Sequence, residues 1–169
     1  MRPRSAHAAA SCAAALLALA AWSVPAGPAA AAAAPAGPDY AIAQAGNYPT
    51  TPNGYGKFSV SWTSVGTTGI TGVTRLTVDL PPGLTTTGAL MYSTPYDYTF
   101  TESVSPDGRH LDATFNGTRA PGRGDFMKLD VRSGSEVPSG VITATVSNPS
   151  DVNPANDVSA YTLGGPGPR

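Results

Sequence analysis

Apolar and polar residues alternate along most of the chain after residue 38. In the stretch 74–80, Leu76, Val78 and Leu80 alternate with polar residues, a pattern that predicts a β-strand with one apolar face. The Pro-Pro-Gly that follows at 81–83 cannot continue a ladder and predicts a turn. The stretch 57–63 has the clearest alternation and includes Trp62, which we expect to anchor a core. A strand with one apolar face needs a second sheet to cover that face.

The same alternation predicts about eight strands, with a turn signal in each gap and no amphipathic helical window. The Ser-Pro-Asp-Gly at 105–108 predicts a hairpin between the fourth and fifth strands. We predict no strand over 84–93, which is rich in threonine and glycine, and a loop over 116–124. The last strand is predicted to bury Val158 and either Ala160 or Tyr161. The predicted strands cover 39–45, 57–63, 74–80, 96–103, 109–115, 126–132, 141–147 and 157–163. This regularity predicts an antiparallel β-sandwich.

The N-terminus is typical of a secretory signal peptide. Arg2 and Arg4 precede an apolar stretch at 8–24, and small residues at 29–34 offer cleavage sites. We therefore predict a signal peptide over 1–34, a short flexible lead-in over 35–38, one domain over 39–163 and an unstructured tail over 164–169. Cys12 is the single cysteine of the chain, so cleavage would leave a secreted chain without thiols or disulfides.

Charge excludes one class of partner. The chain has 10 basic and 11 acidic residues, and removing 1–34 takes away Arg2 and Arg4, which leaves 8 against 11, a net of −3. No general basic surface exists for nucleic acid. No apolar stretch after the signal peptide is long enough to span a membrane, so we expect a secreted, extracellular chain that is either released or retained non-covalently at the cell surface.

The sequence carries no catalytic signature that we recognise. His7 lies in the signal peptide, which leaves His110 as the one histidine available to a catalytic triad, and its strand position predicts a surface location. Motifs for zinc, nucleotide or redox chemistry are absent from the sequence. Glu102 and Glu136 are the only glutamates, and nothing places either beside an aspartate in a cleft. We expect no enzymatic activity and no cofactor.

Two groups of residues are candidate binding sites. Asp151, Asn153, Asn156 and Asp157 gather oxygen-bearing side chains within seven residues, which could form part of a calcium site. The alternative is a loop in which these side chains cap turns.

The second group is aromatic. Tyr92, Tyr96 and Tyr98 could form a platform for sugar rings, and the alternative is that they pack in the core and pair across strands. A third pattern is the Arg-Gly-Asp at 123–125. Some adhesion receptors recognise this tripeptide, but it arises too readily by chance to indicate an adhesion site by itself.

Several motifs together resemble a known family. Strands at 58–63 and 74–80, the Leu-Pro-Pro-Gly-Leu at 80–84 and the Asn- and Asp-rich stretch at 148–157 before a final strand resemble the DUF11 or CARDB-like immunoglobulin-type module of bacterial secreted and surface proteins. The resemblance covers roughly 39–163. It implies an immunoglobulin-like sandwich whose relatives are extracellular spacers, adhesive stalk repeats or appended modules. Those relatives are commonly repeated in tandem, whereas this chain has a single copy.

Two functional hypotheses follow. The first is a non-catalytic extracellular module that contacts a protein or a cell-wall component, at a sheet edge or through end loops such as 46–56 and 116–124. The second is a carbohydrate-binding module that uses the tyrosine cluster, with calcium at 151–157. The second requires at least two of Tyr92, Tyr96, Tyr98 and Trp62 to expose their ring faces on one surface, and the first predicts that most of them are buried.

Overall fold

The computed structural model describes residues 33–92 and 99–164. Nine β-strands and one short 3-10 helix lie within these ranges. They are β1 Tyr40–Asn47, β2 Tyr55–Ser64, β3 Ile70–Asp79, β4 Leu84–Tyr92, β5 Thr99–Val104, β6 His110–Arg119, β7 Gly124–Ser133, β8 Gly140–Ser147, the 3-10 helix Pro154–Asn156 and β9 Val158–Leu163.

The strands form two antiparallel sheets. One has four strands in the order β1-β2-β7-β4, and the other has five in the order β5-β6-β3-β8-β9. Every strand pair is antiparallel, and the chain crosses between the sheets several times. The predicted fold class, an immunoglobulin-like antiparallel β-sandwich, is confirmed.

The core lies between the sheets, on the apolar side of each alternating strand. Trp62 is fully buried, and its ring lies 5.2 Å from that of Phe115 on the facing sheet. The prediction that Trp62 anchors the core is therefore confirmed. The other large side chains buried with it are Tyr40, Phe58, Ile70, Leu76, Leu84, Leu111, Met127, Leu129 and Ile142. Burial of about 25 cal/mol per Å² of apolar surface is the main stabilising term available to such a domain.

The predicted hairpin at 105–108 is also confirmed. Gly108 N donates to Ser105 O at 2.8 Å, and Ser105 N donates to His110 O at 2.8 Å. Gly108 has φ +69°, a conformation that favours glycine. The turn joins β5 to β6 in the register that the sequence indicates.

One strand, β4, was not predicted from the sequence. Thr86 and Ala89 flank a β-bulge in its pairing with β7, and Gly88 within that bulge has φ +141°. The bulge shifts the period-2 pattern by one residue, so the inward and outward positions do not alternate along the whole segment. The hydroxyl of Thr86 accommodates the irregularity by donating to Asp130 O at 2.9 Å.

Two further predictions need correction. Val158 of β9, predicted to be buried, is exposed, as is Ala160, whereas Tyr161, the predicted alternative to Ala160, points inward together with Leu163. Tyr161 stacks on Tyr48, with ring centroids 3.8 Å apart, which favours the Tyr161 alternative. The segment 116–124 is not all loop, because β6 continues to Arg119.

The residues 1–32, which include nearly all of the predicted signal peptide, lie outside the described ranges, as do Tyr96, Tyr98 and the tail at 165–169. Among the described residues, no helix is long and apolar enough to cross a membrane.

Candidate functional site

The outer side of the four-stranded sheet carries an aromatic cluster. Phe126 and Lys128 point outward because the alternate residues of β7 lie in the core. Tyr92 of β4 is the cross-strand partner of Phe126, and their rings stack with centroids 4.8 Å apart and planes 7° apart. Lys128 Nζ lies 4.9 Å from the Tyr92 ring centroid. Tyr92 and Phe126 each remain 37% exposed, which leaves apolar area for a partner.

A second group of aromatic and charged side chains extends this surface along β2 and β7. Tyr55 is paired with Arg132, and Lys57 is paired with Asp130. Both cations lie near the exposed Tyr55 ring, at 5.7 Å for Lys57 Nζ and 5.9 Å for Arg132 Cζ. The Lys57 ammonium also lies 3.4 Å from Asp130 Oδ1. Hydrogen bonds from Tyr55 and then Lys57 lower the pKa of the Asp130 carboxyl.

We call this surface the outer aromatic face. It consists of Tyr55, Lys57, Leu90, Tyr92, Phe126, Lys128, Asp130 and Arg132, which cross-strand pairing and period-2 spacing place on one side of the sheet. An open groove of about 470 Å³ runs along it beside the β4 bulge. Glu102 of β5 reaches the groove and accepts a hydrogen bond from Ala89 N at 3.2 Å. The groove thus combines apolar, cationic and acidic groups.

Of the predicted tyrosine cluster, Tyr92 alone is described, and its exposure agrees with a role in binding. Trp62 is in the core and cannot contact a ligand. The carbohydrate hypothesis therefore depends on Tyr96 or Tyr98, which lie outside the described residues. Phe126, Tyr55 and Lys128 were not among the predicted site residues. Their outward positions in the alternating strands were the signal that could have found them.

An acidic cluster lies where the chain enters β1. Asp151 Oδ2 accepts a hydrogen bond from Tyr40 N at 2.8 Å, and Asp151 Oδ1 accepts one from Asn153 N at 2.9 Å. Asn156 Nδ2 donates to Asp39 Oδ2 at 3.4 Å. The predicted loop is therefore joined to Asp39, which is not one of the predicted site residues. Asp151 also caps its own turn, as the alternative interpretation of this loop predicted.

Several polar atoms of this acidic cluster are buried without hydrogen-bond partners. Asp39 is fully buried and Asp157 is 7% exposed. Asp39 Oδ1, Asn156 Oδ1 and Asp157 Oδ1 have no hydrogen-bond partner. Burial, then the charges of Asp151 and Asp39 and a hydrogen bond with Asp151, raise the pKa of the Asp157 carboxyl to about 7. Within the described part of the chain, no three acidic or histidine side chains already surround one point as metal ligands.

Tyr40 and a buried ion pair lie near the acidic cluster. Burial raises the pKa of Tyr40, and Asp125, Arg119 and Asp151 all act on it electrostatically. Arg119 Nε donates to Asp125 Oδ2 at 2.6 Å, and both side chains are almost fully buried. The cluster therefore has more acidic than basic groups around it, and either a proton or a cation would stabilise it.

The raised Asp157 pKa predicts a pH-dependent stability. The folded protein holds the Asp157 proton more tightly than the unfolded chain does, so the free energy of unfolding should fall as pH rises from about 4 to about 7. Above pH 7 the full penalty of a buried carboxylate is present. With a chelator present, Asp157→Asn should therefore be more stable than the parent by roughly 1–3 kcal/mol at pH 8, with a smaller difference at pH 5.

Urea denaturation at both pH values measures this difference. Asp130→Asn is the matched control, because Asp130 is exposed and its removal should change stability by less than about 0.5 kcal/mol at either pH. Equal responses of the two variants at pH 8 would contradict the prediction.

His110 lies on the surface as predicted. Its Nδ1 lies 2.7 Å from Asp79 Oδ1 on the neighbouring strand. The hydroxyl of Ser105 donates to Asp107 Oδ1 and accepts hydrogen bonds from the backbone N–H groups of Arg109 and His110. These contacts shape the hairpin turn, and they direct the serine hydroxyl to groups other than the imidazole.

The Arg-Gly-Asp at 123–125 does not present its carboxylate. Asp125 is 4% exposed and is bonded to Arg119. Recognition of such a tripeptide needs an accessible aspartate, so we exclude this segment as an adhesion site.

No family model matches the chain, and no curated protein matches it. Solved structures do resemble it. The collagen-binding domain of a Staphylococcus aureus adhesin matches at 8% identity and a TM-score of 0.49, over 72% of this chain and 95% of that domain. A type I cohesin from Pseudobacteroides cellulosolvens matches at 16% and 0.48, over 72% and 84%. The major pilin subunit of Bacillus cereus matches at 15% and 0.49, over 73% and 38%.

These structural neighbours are β-sandwich domains of bacterial surface proteins. Their identities and TM-scores are too low to bear on what this chain binds. The outer aromatic face and the acidic cluster are therefore the candidate binding sites of this chain.

Proposed function

We propose that this chain is a non-catalytic, secreted immunoglobulin-like module, of the DUF11 or CARDB-like kind, that contacts an extracellular protein or a cell-wall component. The contact is made by the outer aromatic face. This surface differs from the sheet edge and the end loops that the sequence predicts. The single observation that supports the face is the concentration of large exposed apolar rings and cations on one side of the four-stranded sheet.

The composition of the outer aromatic face suits protein recognition. Tyrosine, phenylalanine and arginine are enriched where protein interfaces are most tightly packed, because rigid rings bury area at low entropic cost. Tyr92 and Phe126 are held in place by stacking on each other. A preorganised pair of this kind loses little freedom when a partner covers it. The surrounding Lys57, Lys128 and Arg132 favour a partner that supplies carboxylates around an apolar contact.

The opposite side of the sandwich has a different character. On the five-stranded sheet, the Arg75 guanidinium is bonded to Asp112 and His110 to Asp79. Thr101 and Thr114 hydrogen-bond with each other across strands at 2.6 Å. Polar groups that are already paired with each other gain less from a partner. This face therefore supplies the control positions for testing the proposal.

Site-specific crosslinking tests which face is used. A photoreactive side chain at position 126 is compared with one at Val141, which is exposed on the five-stranded sheet, in isolated cell envelope and in concentrated culture fluid. We expect one discrete crosslinked species from position 126 and none from position 141. Crosslinking from 141 alone, equal crosslinking from both or none from either would contradict the proposal.

The double variant Tyr92→Ala and Phe126→Ala should weaken binding of the crosslinked partner at least tenfold, because it removes the stacked rings that carry most of the apolar contact. Val73→Ala with Val141→Ala is the matched control, since both valines are exposed on the other sheet. Titration by surface plasmon resonance gives the dissociation constants. A loss shared by both double variants would show that the effect is not specific to the outer aromatic face.

A carbohydrate-binding module is the second candidate. The exposed Tyr92 ring beside a groove lined by Glu102, Asp130 and Lys57 favours it, since sugars need a ring to stack on and polar groups to orient their hydroxyls. Sedimentation with insoluble polysaccharides distinguishes the two candidates. Binding to one polymer that is lost in Tyr92→Ala, with no crosslinked protein, would replace the protein-contact proposal by this one.

A further inference from the structure

We propose that the acidic cluster binds one divalent cation, Ca²⁺, held by Asp39, Asp151 and Asp157 with the amide oxygen of Asn156. This site differs from the one predicted from the sequence, because it gains Asp39. Asn153 is left to support the loop through its backbone N–H to Asp151. The proposal does not depend on the proposed partner of the outer aromatic face.

The unpartnered oxygens are the first observation. Asp39 is fully buried and Asp157 nearly so, yet one carboxylate oxygen of each has no hydrogen-bond donor. The Asn156 amide oxygen is buried in the same state, while its Nδ2 donates to Asp39. Buried polar groups without partners are costly and uncommon. Three unpartnered, buried oxygens from residues that lie close together in space indicate that the cluster accommodates a cation, which oxygen atoms would coordinate.

The placement of the acidic side chains is the second observation. Asp151 Oδ2 accepts a hydrogen bond at 2.8 Å from the backbone N of Tyr40, which directly follows Asp39 in the chain. Asn156 Nδ2, directly before Asp157, donates to Asp39 Oδ2 at 3.4 Å. These contacts bring the three aspartates and Asn156 to one place. The nearby Arg119 is bonded to Asp125 at 2.6 Å and 3.3 Å, which directs that positive charge to a different carboxylate. A divalent cation would neutralise the carboxylates and supply the missing partner for their buried oxygens.

The chemistry favours calcium. All the candidate ligand atoms are carboxylate or amide oxygens, which hard cations prefer. They come from two distant segments, the entrance to β1 and the loop before β9, so their arrangement is irregular. Ca²⁺ tolerates irregular shells of 6 to 8 oxygens, whereas Mg²⁺ demands near-octahedral geometry. Extracellular modules commonly bind Ca²⁺ with dissociation constants of about 10⁻⁴ to 10⁻³ M.

Binding would join the first strand of the domain to the last. Tyr40 N already donates to Asp151, and Val152 N donates to Pro38 O at 3.0 Å. These contacts hold the loop before β9 against the start of β1, which belongs to the other sheet. A cation at the same place would strengthen a closure that the chain otherwise makes with a few hydrogen bonds. Ca²⁺ should therefore stabilise the fold as a whole.

Thermal unfolding of the secreted chain at pH 8, with chelator or with 5 mM CaCl₂ in place of it, tests the proposal. We expect Ca²⁺ to raise the Tm of the parent by about 3–7 °C, and calorimetric titration to show one site. Asp157→Asn should weaken Ca²⁺ binding at least tenfold and lose the Tm response. This variant should fold well, because it is expected to be the more stable protein in chelator.

Two further variants complete the test. Asp39→Asn should also lose the Ca²⁺ response, and Asp130→Asn, on the exposed sheet face, should respond like the parent. The proposal is overturned if titration shows no binding at pH 8, or if Asp157→Asn and Asp130→Asn respond equally to Ca²⁺. Stabilisation of Asp157→Asn at pH 8 without any Ca²⁺ response of the parent would instead identify the cluster as a proton-binding site.

Discussion

Replacing Trp62 with alanine should lower the free energy of unfolding by about 3–5 kcal/mol. The indole is fully buried between the sheets and packs on Phe115 of the facing sheet, so its loss leaves a large cavity where both sheets meet. Single domains are commonly stable by only 5–15 kcal/mol. The variant should therefore be close to unfolding at ambient temperature.

Trp62→Phe is the matched control for this prediction. Phenylalanine keeps an aromatic ring against Phe115, and it also removes the indole Nε1, which is buried without a hydrogen-bond partner. The loss should be clearly smaller than for alanine. Urea denaturation followed by far-UV circular dichroism measures both variants without relying on tryptophan fluorescence. Equal stabilities of the two variants would mean that Trp62 is not the anchor of the core.

The second large effect is expected at the buried ion pair. Arg119→Leu should lower the free energy of unfolding by about 3–5 kcal/mol, because it leaves the buried Asp125 carboxylate without its guanidinium. Arg119 is the last residue of β6 on one sheet, and Asp125 is the second residue of β7 on the other. The pair therefore fixes the crossing between the sheets, and Arg119 Nη1 adds a hydrogen bond to Thr118 O at 2.9 Å.

The double variant Arg119→Leu with Asp125→Leu separates the charge effect from the packing effect. Removing both charges avoids an uncompensated buried ion, so the double variant should recover part of the stability lost in Arg119→Leu. Urea denaturation at 0.05 and 0.5 M NaCl measures the series. A parent stability that falls strongly with salt, or a double variant no more stable than Arg119→Leu, would contradict a desolvated pair.

The domain must rely on packing for its stability. Cys12 is the single cysteine, so no disulfide strengthens the described residues. A firmly packed sandwich keeps the strands of the outer aromatic face in register, which holds Tyr92 against Phe126. The exposed rings can then meet a partner with little rearrangement.

The candidate sites were predictable to different degrees. Tyr92 could be proposed from the sequence because a run of aromatic residues stands out there. Phe126 and Lys128 were overlooked because an outward residue of a strand becomes part of a site only when its cross-strand neighbours are known. Asp39 could not be found by spacing at all, since it is more than 100 residues away from Asp151 and meets it only where β1 begins.

Local alternation was sufficient to predict the inward faces of most strands and the all-β class, because each side chain of a strand alternates between two faces and the apolar face must be buried. The tertiary structure decided where that rule failed. Gly88 allowed a bulge that concealed β4, and stacking on Tyr48 selected Tyr161 over Ala160, the two alternatives that the sequence left open in β9. The acidic cluster is also decided by the tertiary structure, because only the packing of the two sheets brings the entrance of the first strand to the loop before the last strand.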